Sequence, residues 1–291
     1  MRLRSLLFVP GDRPDQMQKA LGSCADALIL DLEDSVAPQA KPAARTAVAS
    51  FLRSSERKVR LFVRVNALDS GLVEEDLRAI LDTGPDALVL PKAEGSASVA
   101  ALAAMAPGIP ILPIATETPA TIFQLGSYAA VRDALLGLTW GAEDLPAAIG
   151  ATSARNEDGS YTQPYELVRS LTLFAAHAAG VEVIETVYPA FRDLEGLRRY
   201  ARRGRRDGFT GMMAIHPSQV PVINDAFTPT EAEIASARAT IAAFEAQPGK
   251  GVLQIDGRMI DAPHLRQALR IMELEALRAD GSPKDEKPLR K

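Results

Sequence analysis

With 291 residues, 47% of them hydrophobic and 24% charged, the chain is long enough for one large α/β domain or two small ones and has ordinary globular composition. A net charge of -4 without a dominating basic patch argues against a nucleic-acid binder, whose phosphate contacts call for clustered Lys and Arg. The single cysteine, Cys24, rules out an internal disulfide and a zinc cluster, fits a reducing cytosol, and is read as a packing residue. No stretch approaches the length needed to span a bilayer, so a soluble, cytoplasmic protein is expected.

Apolar β-type runs alternate with helix-period runs from the start. Leu6-Leu7-Phe8-Val9 precedes a helix over Pro14 to Leu21, and Ala27-Leu28-Ile29-Leu30 precedes one over Pro42 to Leu52. Val59 to Val65 leads to a helix over Glu74 to Leu81, and Ala87 to Leu90 to an Ala-rich helix over Ala97 to Met105. Strand 109–114 pairs with a helix from Pro119 to Leu125, strand 135–139 with Tyr165 to Ala178, and strand 181–187 with Leu194 to Arg203. Met212-Met213-Ala214-Ile215 before Ser218 to Asn224 makes the eighth unit. Strict βα alternation implies parallel strands with crossover helices, and eight units imply a closed (β/α)8 TIM barrel over residues 1–228. A doubly wound sheet would bring a Gly-rich fingerprint after the first strand, whereas Pro10-Gly11-Asp12-Arg13-Pro14 has one Gly. The longest loop, Gly150 to Gln163, is expected to be a mobile cover.

Residues 229–279 read as a C-terminal arm or lid: a helix over Glu231 to Ala246, a hairpin over Val252 to Asp261 turning near Asp256-Gly257, and a helix over His264 to Leu277. That last helix repeats apolar residues at Leu265, Ala268, Leu269, Met272 and Ala276, a stripe that a neighbouring subunit would cover. A charged, disordered tail is expected over 280–291.

Strand C-termini of a barrel face its site, so the rim is expected to present Phe8, Arg13, Asp31, Glu33, Asp34, Arg64, Asn66, Lys92, Glu117, Asp144, Glu185, Tyr188 and His216. So many carboxylates would repel one another without a cation. Glu117 and Asp144, past the ends of neighbouring strands, form the candidate metal pair, because Mg²⁺ takes one or two protein carboxylates and leaves its other positions to substrate and water. Arg64 is a charge inside an apolar strand and needs an anion, either a rim acid such as Glu33 or Asp34, or a substrate carboxylate or developing oxyanion. His216 reads equally as a hydrogen-bonded neutral histidine or a base, and His177 and His264 as structural.

The series Leu6-Leu7-Phe8-Val9-Pro10-Gly11, Asp31-Leu32-Glu33-Asp34-Ser35-Val36, Val63-Arg64-Val65-Asn66, Leu90-Pro91-Lys92, Glu117-Thr118, Gly141 to Leu145, Ile215-His216-Pro217-Ser218-Gln219 and Met259-Ile260-Asp261 resembles the motif order of the citrate lyase β-subunit family, within the HpcH/HpaI aldolases, with its malyl-CoA and citramalyl-CoA lyases. The resemblance spans nearly the whole chain to about Leu277.

It implies a Mg²⁺-dependent (or Mn²⁺-dependent) barrel enzyme that cleaves a carbon–carbon bond beside a CoA thioester. It gives Glu117 and Asp144 the metal, with Glu117 also touching substrate, Arg64 the substrate and catalysis, and Phe8, Arg13 and Lys19 the CoA nucleotide. It makes Asp261 a catalytic acid that reaches an adjacent subunit, hence a homo-oligomer, a trimer or a hexamer, with no nucleic-acid or membrane partner. Three departures stand out: Met212 where relatives commonly have lysine in a Gly-Lys pair, Glu185 where many have aspartate, and Tyr165-Glu166-Leu167-Val168 in place of the usual Glu-Leu-rich helix start. The expected reaction is retro-Claisen cleavage of malyl-CoA or citramalyl-CoA to acetyl-CoA and a keto acid. The alternatives are a malyl-CoA thioesterase, a citrate lyase β-subunit, and a non-catalytic barrel, against which the intact set Arg64, Glu117, Asp144 and Asp261 argues.

Overall fold

The computed structural model describes residues 3–54, 59–255 and 257–280, the last four by their backbone alone. Eight short strands alternate with helices over Leu3–Phe227: β1 (Ser5–Pro10), α1 (Pro14–Ala20), β2 (Ala27–Asp31), α2 (Lys41–Ser54), β3 (Arg60–Arg64), α3 (Val73–Ile80), β4 (Ala87–Leu90), α4 (Ser96–Met105) and β5 (Ile111–Pro113). The series continues with α5 (Pro119–Ile122), β6 (Gly137–Thr139), α6 (Asp144–Ile149), α7 (Gln163–Ala179), β7 (Glu182–Glu185), α8 (Leu194–Asp207), β8 (Gly211–Ala214) and α9 (Gln219–Ala226).

All eight strands are parallel, in the order β5-β4-β3-β2-β1-β8-β7-β6. The ring closes between β5 and β6 through the parallel bridges Ile111–Leu135 and Ile114–Thr139, where the Leu136 and Ala115 amides donate to the carbonyls of Ile111 and Thr139 at 2.8 Å each. This is the expected (β/α)8 barrel. Strand side chains alternate between two faces. Leu6, Ile29, Phe62, Val89, Leu112, Ile184 and Met213 fill the interior, while Leu7, Leu28, Leu61, Val63, Leu88, Val183 and Met212 pack under the helices. Both faces are thus dry, which is why the strands read as continuous apolar runs.

Several local expectations are corrected. The helix expected over Pro119 to Leu125 stops at Ile122, and Leu125–Ala134 continues as a 3-10 segment with a kink at Val131. The loop over 150–163 is pinned rather than free. Tyr161 is buried, meets Trp140 edge-on with centroids 5.1 Å apart, and carries the Arg155 guanidinium 4.0 Å above its ring. Cys24 is exposed, not packed, on a left-handed turn residue with φ of 60°.

Residues from Thr228 onward form a second unit. Its helix α10 (Glu231–Glu245) opens with a capping box in which Thr230 and Glu233 satisfy each other's amides. The antiparallel hairpin β9 (Val252–Ile255) and β10 (Arg258–Asp261) follows, then α11 (Ala262–Asp280), which pairs with α10 through Arg238 and Glu275 at 2.8 Å. Of the expected stripe on α11, Ala268 is buried and Leu269 exposed. Asp256 of the hairpin turn and the tail from Gly281 lie outside the described residues. No described helix is long and apolar enough to cross a membrane.

Candidate active site

The mouth of the barrel is built around strand-end residues whose parity points inward. Asp31 closes β2 and Arg64 closes β3, and the two are register partners in the ladder. Arg64 donates Nε to Asp31 Oδ1 at 2.6 Å and Nη2 to Asp31 Oδ2 at 2.7 Å. Its Nη1 lies 2.9 Å from Glu33 Oε2, an ion pair without hydrogen-bond alignment, and 3.9 Å from Asp34. Phe8 of β1 supports the guanidinium, whose carbon sits 4.9 Å from the ring centroid. Burial pushes the Asp31 carboxyl up, but its hydrogen bonds and charge contact with Arg64 outweigh this and hold it below the ordinary carboxylate range. The partner of Arg64 is therefore chiefly Asp31, with Glu33 second.

Lys92 follows β4 and has a left-handed backbone, φ 49°, uncommon for a residue with a side chain. Its amide donates to Glu117 Oε2 at 2.6 Å, and its ammonium to Glu33 Oε1 at 2.5 Å. Nζ also stands 3.9 Å from both Asp34 and Asp144. One residue thus touches both halves of a carboxylate cluster.

Glu117 lies past β5 and is buried, and Asp144 opens α6 and is partly exposed. Gly141 lets the two turns approach, since a Cβ there would fall 2.7 Å from Glu117 Cγ. Thr116 Oγ1 ties the same turns by accepting from the Gly141 amide at 3.0 Å. Burial first, then the charges of Asp144 and Glu33, push the Glu117 carboxyl up to about 8. Burial also raises Glu33 above its ordinary value against the pull of Arg64 and Lys92. Five carboxylates, Asp31, Glu33, Asp34, Glu117 and Asp144, thus face two cations, Arg64 and Lys92. Among the described residues, no three or more His, Cys, Asp or Glu form a group able to hold a metal, and Glu117 and Asp144 are a pair that could hold a cation together with other ligands. No described hydrogen bond involves Glu117 Oε1. A hard cation fits such an all-oxygen pair inside a surplus of negative charge.

The remaining expected residues fall elsewhere. Arg13 and Lys19 are exposed on and beside α1, near Asp12 and Asp15, and no described contact joins them to Phe8. Asp261 belongs to the second unit, where His264 Nδ1 meets its Oδ1 at 2.6 Å. Glu185 does not join the mouth. It is fully buried on the helix side of β7, where it accepts from Trp140 Nε1, Arg169 Nε, Tyr200 OH and the Thr186 amide. Met212, its register partner on β8, packs under the helices too. His216 stacks on Phe191 with centroids 4.9 Å apart and faces Ser218 Oγ through Nδ1, while His177 faces the Gly208 carbonyl. Lys92 and Asp31, which sequence reading placed on the rim without a role, are central to the geometry. Asp31 carried a positional signal, since it ends β2 on the inward parity, whereas Lys92 lies two residues past β4 and reaches the mouth through its left-handed backbone. An open hollow of about 670 Å³ lies in the second unit, lined among the described residues by Gln247, Lys250, Val252, Leu253, Gln254, Gly257 and Met259, none of them a carboxylate.

Residues 4–217 match the HpcH/HpaI aldolase/citrate lyase family. The chain is 39% identical over 262 residues to the citrate lyase subunit beta-like protein of Mycobacterium tuberculosis, covering 90% of this chain and 92% of that one. It is 36% identical over 284 residues to a (3S)-malyl-CoA thioesterase of Cereibacter sphaeroides, covering 95% and 96% respectively. A crystal structure of the CitE protein of Mycobacterium tuberculosis with magnesium, acetoacetate and coenzyme A superposes with a TM-score of 0.83 at 36% identity, over 94% of this chain and 98% of that one. A barrel mouth of inward carboxylates and a matched family span of this length lead to one conclusion: the chain belongs to the HpcH/HpaI aldolase/citrate lyase family and is a carbon–carbon lyase by class.

Proposed function

We propose that the protein is a Mg²⁺-dependent lyase that cleaves a 3-hydroxyacyl-CoA such as malyl-CoA or citramalyl-CoA, giving acetyl-CoA and an α-keto acid. The observation that carries this reading is the surplus of carboxylates over cations at the barrel mouth, centred on a buried Glu117 beside Asp144. Similarity to a protein crystallised with magnesium, acetoacetate and coenzyme A supports the same assignment.

Glu117 and Asp144 would hold the metal, which supplies a Lewis acid for the substrate's hydroxyl and carboxylate. The chain's own groups do the rest. Lys92's amide fixes the Glu117 carboxylate, and Asp144 is fixed by its place at the head of α6. Arg64 has Nε and Nη2 committed to Asp31, so its orientation is set before substrate arrives. Nη1 would stabilise the thioester enolate that receives the electron pair of the broken bond, a preorganised contact typically worth roughly 3 kcal/mol. The proton lost from the substrate hydroxyl would pass to water, and Asp261 would relay one to the enolate carbon through the carboxyl group that His264 orients. Because Asp261 belongs to the second unit, we assign it to the mouth of a neighbouring copy in a trimer or hexamer. Arg13 and Lys19, both exposed cations, would meet CoA phosphates. Phe8 faces Arg64, so its part is to seat that guanidinium.

Hydrolysis of the thioester is the second reading, favoured by the similarity to a malyl-CoA thioesterase. It would use the same pocket and differ in admitting water. The metal assignment is tested by titrating Mg²⁺ into chelator-treated protein and following turnover of malyl-CoA. Mg²⁺ should restore activity to wild type but not to Glu117→Ala or Asp144→Ala. Full activity of either variant in chelator sinks the assignment.

A further inference from the structure

Glu33 stands between two cations at the same mouth as Glu117 and Asp144, yet it is not free to join them. One of its oxygens accepts from Lys92 Nζ at 2.5 Å, and the other lies 2.9 Å from Arg64 Nη1. Asp31 is likewise consumed by the two remaining donor positions of Arg64. Of the buried carboxylates here, Glu117 has an oxygen, Oε1, that neither a described hydrogen bond nor a described ion pair engages, whereas both oxygens of Glu33 face a cation.

Lys92 makes this partition possible through its backbone. A non-glycine residue at φ 49° is held in a conformation costing on the order of 1 kcal/mol, which persists only when the surroundings enforce it. Here the enforced conformation lets one residue donate its amide to Glu117 while its ammonium reaches Glu33.

We propose that Lys92 is a positioning residue that subtracts Glu33 from the metal site, keeping the protein's contribution at the two carboxylates Glu117 and Asp144 and leaving the other coordination positions to substrate. The proposal rests on the metal reading given above. A divalent ion on three protein carboxylates is held more tightly but offers substrate fewer positions. Lys92 thereby sets an affinity low enough for an open site, and its charge, 3.9 Å from Asp144, opposes the ion directly.

The test is calorimetric Mg²⁺ binding to the full chain without substrate. Lys92→Asn removes the ammonium but tolerates a left-handed backbone, so the Glu117 contact should survive. Its dissociation constant for Mg²⁺ should fall by about tenfold or more relative to wild type, a change of ~1.4 kcal/mol or more. The double variant Lys92→Asn with Glu33→Gln should recover most of the wild-type value, because the released ligand is gone. Lys92→Arg, which keeps the charge, should stay near wild type and serves as the folding control. Unchanged or weaker Mg²⁺ binding by folded Lys92→Asn overturns the proposal, as does tightening that persists in the double variant. If wild type itself binds no Mg²⁺, the metal reading fails first and takes this inference with it.

Discussion

Asp31 and Arg64 face each other as register partners at the ends of β2 and β3, joined by two parallel hydrogen bonds of 2.6 and 2.7 Å. The fork-to-carboxylate geometry fixes a guanidinium in place. Removing one partner strands the other charge in a buried setting. Asp31→Ala should therefore destabilise the fold by roughly 3–5 kcal/mol in denaturant titration. Arg64→Lys should keep the fold but lose about a hundredfold or more in turnover, since an ammonium cannot hold Asp31 bidentately and still present a directed donor. Wild-type turnover by Arg64→Lys would remove the catalytic role and leave a structural pair.

The Glu117 carboxyl, pushed up to about 8 by burial and by Asp144 and Glu33, has a defined effect on stability. Below its ordinary pKa of 4.5 both folded and unfolded chains carry the proton. Between 4.5 and about 8 the unfolded chain releases it and the folded chain keeps it, so metal-free stability falls as pH rises, by at most about 1.4 kcal/mol per unit from this group. Denaturant midpoints in chelator across pH 5 to 8 should fall more steeply for wild type than for Glu117→Gln. Mg²⁺ should stabilise wild type increasingly over the same range, because it competes with that proton. Parallel curves for the two proteins would contradict the burial argument.

Glu185 belongs to a different layer. It neutralises Arg169, which also reaches Asp207 at 2.8 Å, and it caps Trp140 and Tyr200. Glu185→Gln should cost roughly 3–5 kcal/mol of stability by leaving a buried guanidinium under-compensated. Mg²⁺ affinity of the folded fraction should be unchanged. A stable variant with altered metal binding would return Glu185 to the site.

The fates of Glu185 and Arg64 show what was legible in the sequence. The eight βα units were readable because dry, parallel strands are apolar throughout while their helices are amphipathic. The same continuity hides parity: in a strand such as Glu182–Glu185, nothing in the apolar run says which face meets the barrel interior. Glu185 thus looked like a rim residue and proved to lie under the helices, as does its register partner Met212. Arg64 visibly needed an anion, but Asp31 rather than Glu33 or Asp34 became its main partner because register decides that, and register is a property of strand pairs. Lys92 sat in plain view after Leu90-Pro91, but its left-handed backbone depends on tertiary contacts. Tyr161, which anchors the loop, sits in a polar Gly/Ser/Asn-rich stretch whose composition signals only a loop.

Assigning Asp261 to a neighbour's site makes a prediction about mixtures. Asp261→Ala and Glu117→Ala should each be inactive alone. Mixed under conditions that exchange subunits, they should regain a fraction of wild-type activity, because some sites then combine an intact arm with an intact mouth. Absence of recovery despite demonstrated exchange would show that each arm serves its own barrel.

Carbon–carbon cleavage is tested most directly by product partition. Purified protein with Mg²⁺ is offered malyl-CoA, β-methylmalyl-CoA and citramalyl-CoA, and keto acid and free thiol are followed separately. Keto acid should appear in step with substrate loss for at least one of the three, with the thioester retained in the acyl-CoA product and no equivalent burst of thiol. Thiol released without keto acid would contradict the lyase account and leave thioester hydrolysis in its place.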